Sequence, residues 1–248
     1  MRSILDISYG KHEMQKIDLY LPESEQFDIY IHMHGGGMES GSRKVDIRFP
    51  EYLTKRGVAL ASIEYRMYPS AKYPDFIQDA AAAAAWVKNH IGEYGNCGRV
   101  FIGGSSAGGY LSMMLCFDKS WLGAHNLEPM DFAGFYHDAG QPTAHFTVLK
   151  HSGIDPKRII IDQTAPLYHI GKDPQYPPMH FVVSDNDMKN RYEQTMLVLS
   201  TLKHFGYDQS KITLDYRSGT HTQYCKTITP EGESLYGEMI YSFIKQTK

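Results

Sequence analysis

The chain lacks any stretch of eighteen or more apolar residues, so no membrane-spanning helix is expected. It has only three cysteines, Cys97, Cys116 and Cys225, at no regular spacing. That is too few and too scattered for a disulfide framework or a thiolate metal site, and it fits a reducing compartment, the cytoplasm. Runs of one charge sign are missing too: 25 Lys and Arg stand against 28 Asp and Glu, a net charge of −3. Nucleic acid demands a concentrated positive field and is therefore not expected as a partner. The opening residues, Met1-Arg2-Ser3-Ile4-Leu5-Asp6, have no signal-peptide apolar region. No internal repeat, low-complexity tract or linker divides the 248 residues. They read as one domain, 1–248, long enough to bury a substantial core.

What is present has the pattern of an α/β protein. Lys16–Leu21 alternates and stops at Pro22, which predicts an edge strand. Phe27–His34 is a strand that runs into Gly35-Gly36-Gly37. Asp46–Arg56 has helical spacing and ends at Gly57, and Val58–Tyr65 is an apolar strand. Asp75–His90 holds six consecutive alanines and is a helix. Val100–Ile102 and Phe132–Tyr136 are short strands, and Met179–Val183 and Ile212–Tyr216 are two more. Lys189–Phe205 and Gly232–Gln246 are helices. Strands alternating with helices imply a mostly parallel sheet covered on both faces. Between Asp138 and Tyr168 the chain turns irregular, which predicts a small insertion, 138–168, over the site.

The most informative stretch is Gly104-Ser105-Ser106-Ala107-Gly108, a G-x-S-x-G between the Val100–Ile102 strand and a helix-forming run from Tyr110. In so sharp a turn the central side chain is pushed outward, and small neighbours let the two arms nearly touch. The N-terminal N–H groups of the following helix favour developing negative charge beside Ser106.

In a parallel sheet, reactive groups collect at the carboxyl ends of the strands. Four strands here deliver chemistry there. They lead to His34-Gly35-Gly36-Gly37, to Ser106, to Ser184-Asp185-Asn186-Asp187, and to Gly219-Thr220-His221. A serine, a carboxylate and a histidine in that order supply a nucleophile, its base and the base's orienting acid. Asp185 and Asp187 both stand where the acid is needed, two residues apart and on the same side of an extended backbone.

This order, with the HGGG loop, resembles the α/β-hydrolase fold, and more narrowly the hormone-sensitive-lipase-like and BD-FAE-type carboxylesterases. Glu64-Tyr65-Arg66-Met67-Tyr68-Pro69, Tyr73-Pro74 and Asp79 resemble those families' D-Y-R-x-x-P…P…D segment. The resemblance runs from about residue 16 to 245 and is weakest between Phe117 and Pro177. It implies that Ser106 is the nucleophile, His221 the base and, through a G-x-x-D pattern, Asp187 the acid. It further implies an oxyanion hole from the backbone N–H groups of Gly36, Gly37 and Ala107. His34 is expected to fix the glycine loop, and Arg66 and Asp79 to be structural. Ser105 stands where many hormone-sensitive-lipase-like enzymes carry Asp, which leans toward the BD-FAE-like branch.

The expected activity is that of a cofactor-free, metal-free serine carboxylesterase acting on small-molecule or oligosaccharide esters. Short acyl groups, acetyl or hydroxycinnamoyl esters of carbohydrates among them, are the expected substrates, and Met38, Tyr136, Asp138 and His145 the candidate pocket residues. Gln141 lies in the same Tyr/His-rich segment. The alternative within this fold is an arylformamidase of the kynurenine type, although Met38 stands where those enzymes carry Trp. A metal-dependent amidohydrolase built on His32-Met33-His34 lacks further ligands in order. A catalytically dead binding module is disfavoured because serine, acid and histidine are all present.

Overall fold

The computed structural model describes residues 1–247. Eight strands build one sheet: β1 (Arg2–Ser8), β2 (Lys16–Leu21), β3 (Gln26–Met33), β4 (Val58–Ile63), β5 (Asn96–Ser105), β6 (Gly134–Asp138), β7 (Met179–Asn186) and β8 (Ile212–Thr220). Their order across the sheet is β1-β2-β4-β3-β5-β6-β7-β8. β2 is antiparallel to both of its neighbours, β1 and β4. All pairs from β4 to β8 are parallel.

Parallel neighbours require crossovers, and helices supply them. They are α1 (Arg48–Thr54), α2 (Asp75–His90), α3 (Ala107–Phe117), α4 (Ser120–Gly123), α5 (Phe146–His151), α6 (Pro166–His169), α7 (Arg191–His204) and α8 (Leu235–Gln246). Side chains alternate across the strands and so feed two cores. Ile29, Ile31 and Met33 of β3 join the layer holding α2, α3 and α7. Tyr30 of the same strand and Phe101 of β5 point the other way, into the layer under α1 and α8. The alanines of α2 do what their size allows: Ala80, Ala81, Ala83 and Ala84 are buried in the first layer.

β1 departs from expectation. It covers the edge that Lys16–Leu21 was predicted to form, and pairs with it antiparallel. Its two inward isoleucines, Ile4 and Ile7, are three residues apart, not two. The pairing slips between them, and Asp6 takes a left-handed φ of 61°. This bulge breaks the period-2 signature by which a strand is read. β5 and β8 are also longer than their apolar runs. Their ends are polar or glycine-rich segments that only sheet pairing identifies as strand.

The sheet's middle closes on two glycines. A Cβ on Gly104 would lie 2.3 Å from the Met33 carbonyl oxygen, and one on Gly108 would lie 1.9 Å from the same atom. Both arms of the β5–α3 turn are therefore pressed onto the end of β3. Gly123, in α4, has open space where a Cβ would go. Gly108→Ala is expected to cost about 1–3 kcal/mol or more, the range for forced overpacking. Gly123→Ala should leave stability unchanged or raise it by up to about 1 kcal/mol. Urea unfolding of the two variants beside the wild type checks both.

Candidate active site

Ser106 occupies the turn between β5 and α3 with φ 56° and ψ −109°. A non-glycine residue with positive φ is uncommon and costs on the order of 1–3 kcal/mol. Two hydrogen bonds hold it there: its N–H donates to the Asp138 carbonyl at 2.8 Å, and its carbonyl accepts from Tyr110 N–H at 3.0 Å. The residue behind it is paired as well, Ser105 facing Asp138 across β5 and β6.

The structure brings three side chains together here. Ser106 Oγ lies 2.8 Å from His221 Nε2, and His221 Nδ1 lies 2.6 Å from Asp187 Oδ1. A hydrogen on Nδ1, donated to the carboxylate, leaves Nε2 free to accept the serine proton. His221 follows directly on β8, and Asp187 directly on β7. Burial opposes ionisation of Asp187. The His221 hydrogen bond and charge outweigh it, helped by the N–H groups of Met188 and Ser184, and the carboxyl sits below its ordinary value. Asp185, the other acid of this turn, points elsewhere. It accepts from Ser218 Oγ at 2.8 Å and Gly219 N–H at 2.9 Å, tying the β7 turn to the end of β8.

The glycine loop stands opposite. A Cβ on Gly35 would lie 3.3 Å from Ser106 Cβ, so the loop passes directly over the serine. Gly36 and Gly37 have φ of 112° and 64°. Among the described residues, the N–H groups of Gly36, Gly37 and Ala107 have no hydrogen-bond acceptor. His34 holds the loop from behind. Its Nε2 is 2.8 Å from Glu64 Oε1, its Nδ1 is 2.7 Å from the Gly35 carbonyl, and its ring stacks on Tyr65 at 4.3 Å. Arg43 extends this anchorage, its guanidinium meeting Glu64, Asp18 and Asp6. Arg66 and Asp79 form a two-pronged pair at 2.7 and 2.8 Å.

This order of strands, with the serine turn after β5, can be set against known structures. A truncated carbohydrate esterase from gut microbiota superposes on all of the chain and 96% of its own length, with a TM-score of 0.79 at 19% identity. Esterase B of Lactobacillus rhamnosis covers 99% of this chain and 86% of itself, with a TM-score of 0.77 at 20% identity. The chain has the α/β-hydrolase fold. The N-terminal part of the chain, residues 17–131, matches the BD-FAE family model. Over 109 residues it is 30% identical to "Probable isoprenylcysteine alpha-carbonyl methylesterase ICMEL1" of Arabidopsis thaliana. That match spans 43% of this chain and 23% of the plant protein, so the chain covers about a quarter of that relative's length.

The four residues expected to line a substrate pocket have other partners in this fold. Met38 is fully buried, and its carbonyl accepts from Tyr68 N–H, so it fixes the glycine loop onto the following segment. Tyr136 lies in the core under α8, stacked on His180. His145 caps α5, accepting from Thr147 N–H at 3.2 Å. Asp138, wholly buried, accepts from Tyr224 Oη and meets Cys225 Sγ at 3.4 Å. It thereby fastens the turn that follows His221 to the floor beneath Ser106. Sequence position alone places Tyr224 and Cys225 near His221, but nothing in their residue types marks them as the partners of Asp138. Of the two histidines of the metal reading, His34 is bonded to Glu64, while His32 is wedged between Phe49 and Tyr236.

Burial drives Asp138 up to about 6, with the Tyr224, Ser105 and Cys225 hydrogen bonds and the His221 charge partly offsetting it. A carboxyl raised on folding carries no penalty below its unfolded value. It costs stability increasingly as pH rises from about 4 to about 6. Asp138→Asn removes this titration. Relative to that variant, the wild type should lose on the order of 2–3 kcal/mol between pH 4 and pH 6.5. Urea unfolding of both proteins across that range is the check, and parallel curves would contradict it.

Proposed function

We propose that this chain is a serine carboxylesterase that cleaves short acyl esters through an acyl-enzyme. The observation that carries the reading is the continuous hydrogen-bonded line from Ser106 Oγ through His221 to Asp187, set against free backbone N–H groups. Ser106 Oγ attacks the ester carbonyl while His221 Nε2 takes its proton. Asp187 keeps the ring oriented and stabilises the resulting imidazolium. Charge developing on the carbonyl oxygen is met by Ala107 N–H, at the start of the eleven-residue α3, and by the N–H groups of Gly36 and Gly37. The proton then passes to the leaving alcohol, and water repeats the sequence on the acyl-serine.

The esterase names of the relatives and neighbours support an ester over an N-formyl amide as the scissile group. The carbohydrate esterase among the neighbours also favours acyl groups carried on a sugar or small alcohol. The residues that match the fold's chemistry need no metal or cofactor.

Ser106→Ala is expected to lower kcat on p-nitrophenyl acetate or butyrate by about 10⁶. Asp187→Asn should lower it by about 10⁴, because the imidazole loses its oriented tautomer. Asp185→Asn loses only loop contacts and should stay within about tenfold of the wild type. A fluorophosphonate probe should label Ser106 in the intact protein, read by peptide mass spectrometry. Full turnover in Ser106→Ala would refute the mechanism.

A further inference from the structure

A cleft of about 570 Å³ opens between the Phe146 ring and the Met188–Arg191 segment that follows the triad acid. Its position follows from two of its walls. Phe146 forms one, and this ring lies 3.6 Å from where a Cβ on Gly37 would stand. Met188 forms another, next in the chain to Asp187, to which its N–H donates at 2.7 Å. One wall of the cleft thus packs near the glycine loop and another adjoins the acid of the triad.

Its lining has an unusual charge. Lys157, Arg158, Lys189 and Arg191 all contribute to it, and no carboxylate does. In a chain of net charge −3, four cations with no acid among them is a strong local reversal. Among the described residues, no side-chain nitrogen of the four lies within 4.0 Å of a carboxylate oxygen. Asp155, the nearest acid in sequence to Lys157 and Arg158, turns back on its own loop to accept Lys157 N–H.

Arg191 is the decisive member. It is 3% exposed, at the first turn of α7, with the left-handed Asn190 before it. A guanidinium has five donors, cannot lose its proton in practice, and is costly to bury without an anion. Here one nitrogen donates to the Ala139 carbonyl and another meets Met188 Sδ at 3.8 Å. Neither partner carries charge. Burial pulls Arg191 down to about 10, with Asp187 acting in the opposite sense, so the group is still a cation at neutral pH. The carboxylate of Asp187 is already committed to His221. A buried cation held by neutral acceptors, at the wall of a cleft ringed by three more cations, is arranged for an anion that arrives from outside.

We propose that this cleft binds an anionic group of the ester substrate, a carboxylate or similar oxyanion, with Arg191 as its anchor. Lys157, Arg158 and Lys189 at the exposed rim draw the anion in. The inference rests on the esterase reading of Ser106. It narrows the substrate class to esters that carry a second, negatively charged group near the scissile bond, such as half-esters of dicarboxylic acids or esters of hydroxy or uronic acids.

The test pairs charged esters with neutral counterparts of similar size. p-Nitrophenyl hydrogen glutarate against p-nitrophenyl valerate places the charge on the acyl side. p-Butyryloxybenzoate against its methyl ester places it on the alcohol side. At low ionic strength, at least one anionic ester should exceed its neutral counterpart in kcat/KM by about tenfold or more. That ratio should shrink as salt is added and collapse toward one in Arg191→Gln. Since Arg191 is buried, the exposed double variant Lys157→Gln/Arg158→Gln is measured too. Its ratio should fall at least about threefold at low salt. Neutral esters hydrolysed as fast as or faster than both anionic ones would overturn the inference and leave the esterase reading intact. So would a preference that survives in folded Arg191→Gln or is unmoved in the double variant. If no ester is hydrolysed, the esterase reading fails, and calorimetric titration of the wild type with glutarate decides the cleft. Binding that weakens in the double variant supports it, and no binding overturns it.

Discussion

Everything at the candidate site depends on one turn that the backbone would not adopt unaided. Ser106 holds a left-handed conformation because both arms of its turn lie against the carbonyl end of β3. Only residues without a Cβ at 104 and 108 permit that approach. The tight contact and the two backbone hydrogen bonds at Ser106 over-determine the turn, which is how a locally unfavourable conformation persists. The reward is placement. The hydroxyl faces outward at the meeting point of the glycine loop, α3 and the turns after β7 and β8.

Around that turn the protein keeps two ionisable groups out of water, and their surroundings differ in kind. Asp138 is under the serine and is surrounded by donors from the chain itself: Tyr224, Cys225 and Ser105. Its hydrogen-bonding capacity is used internally, so it acts as a fastener. Arg191 follows the triad acid on α7 and, among the described residues, has only neutral acceptors. Both burials tax stability; only the first is repaid inside the fold. The contrast separates a residue that holds the site together from one with capacity left for a guest.

Much of this was legible in residue order. Strands β3, β4, β5 and β7 carry apolar runs beside glycine or proline, and the serine, acid and histidine each follow directly on a strand end. The geometry then separates Asp187 from Asp185, which spacing alone left open: one faces the imidazole, the other ties two turns together. Two things were hidden. β1 was hidden because its bulge at Asp6 shifts the inward residues to a spacing of three. The pocket residues were hidden because aromatic and histidine content says nothing about which way a ring points. Tyr136 and His145 turned into the core or onto a helix end, while the cleft walls came from Arg191 and the exposed loop around Lys157. Charge on separate segments sums in space, and no window along the chain contains that sum.

The edge hairpin carries a consequence of its own. Arg43 bridges Asp6 on the bulge of β1, Asp18 on β2 and Glu64 at the end of β4, and Glu64 in turn grips the His34 ring that steadies the glycine loop. The outermost strand is thus mechanically linked to the amides facing Ser106. A chain variant that frays at its first ten residues would loosen the glycine loop from afar.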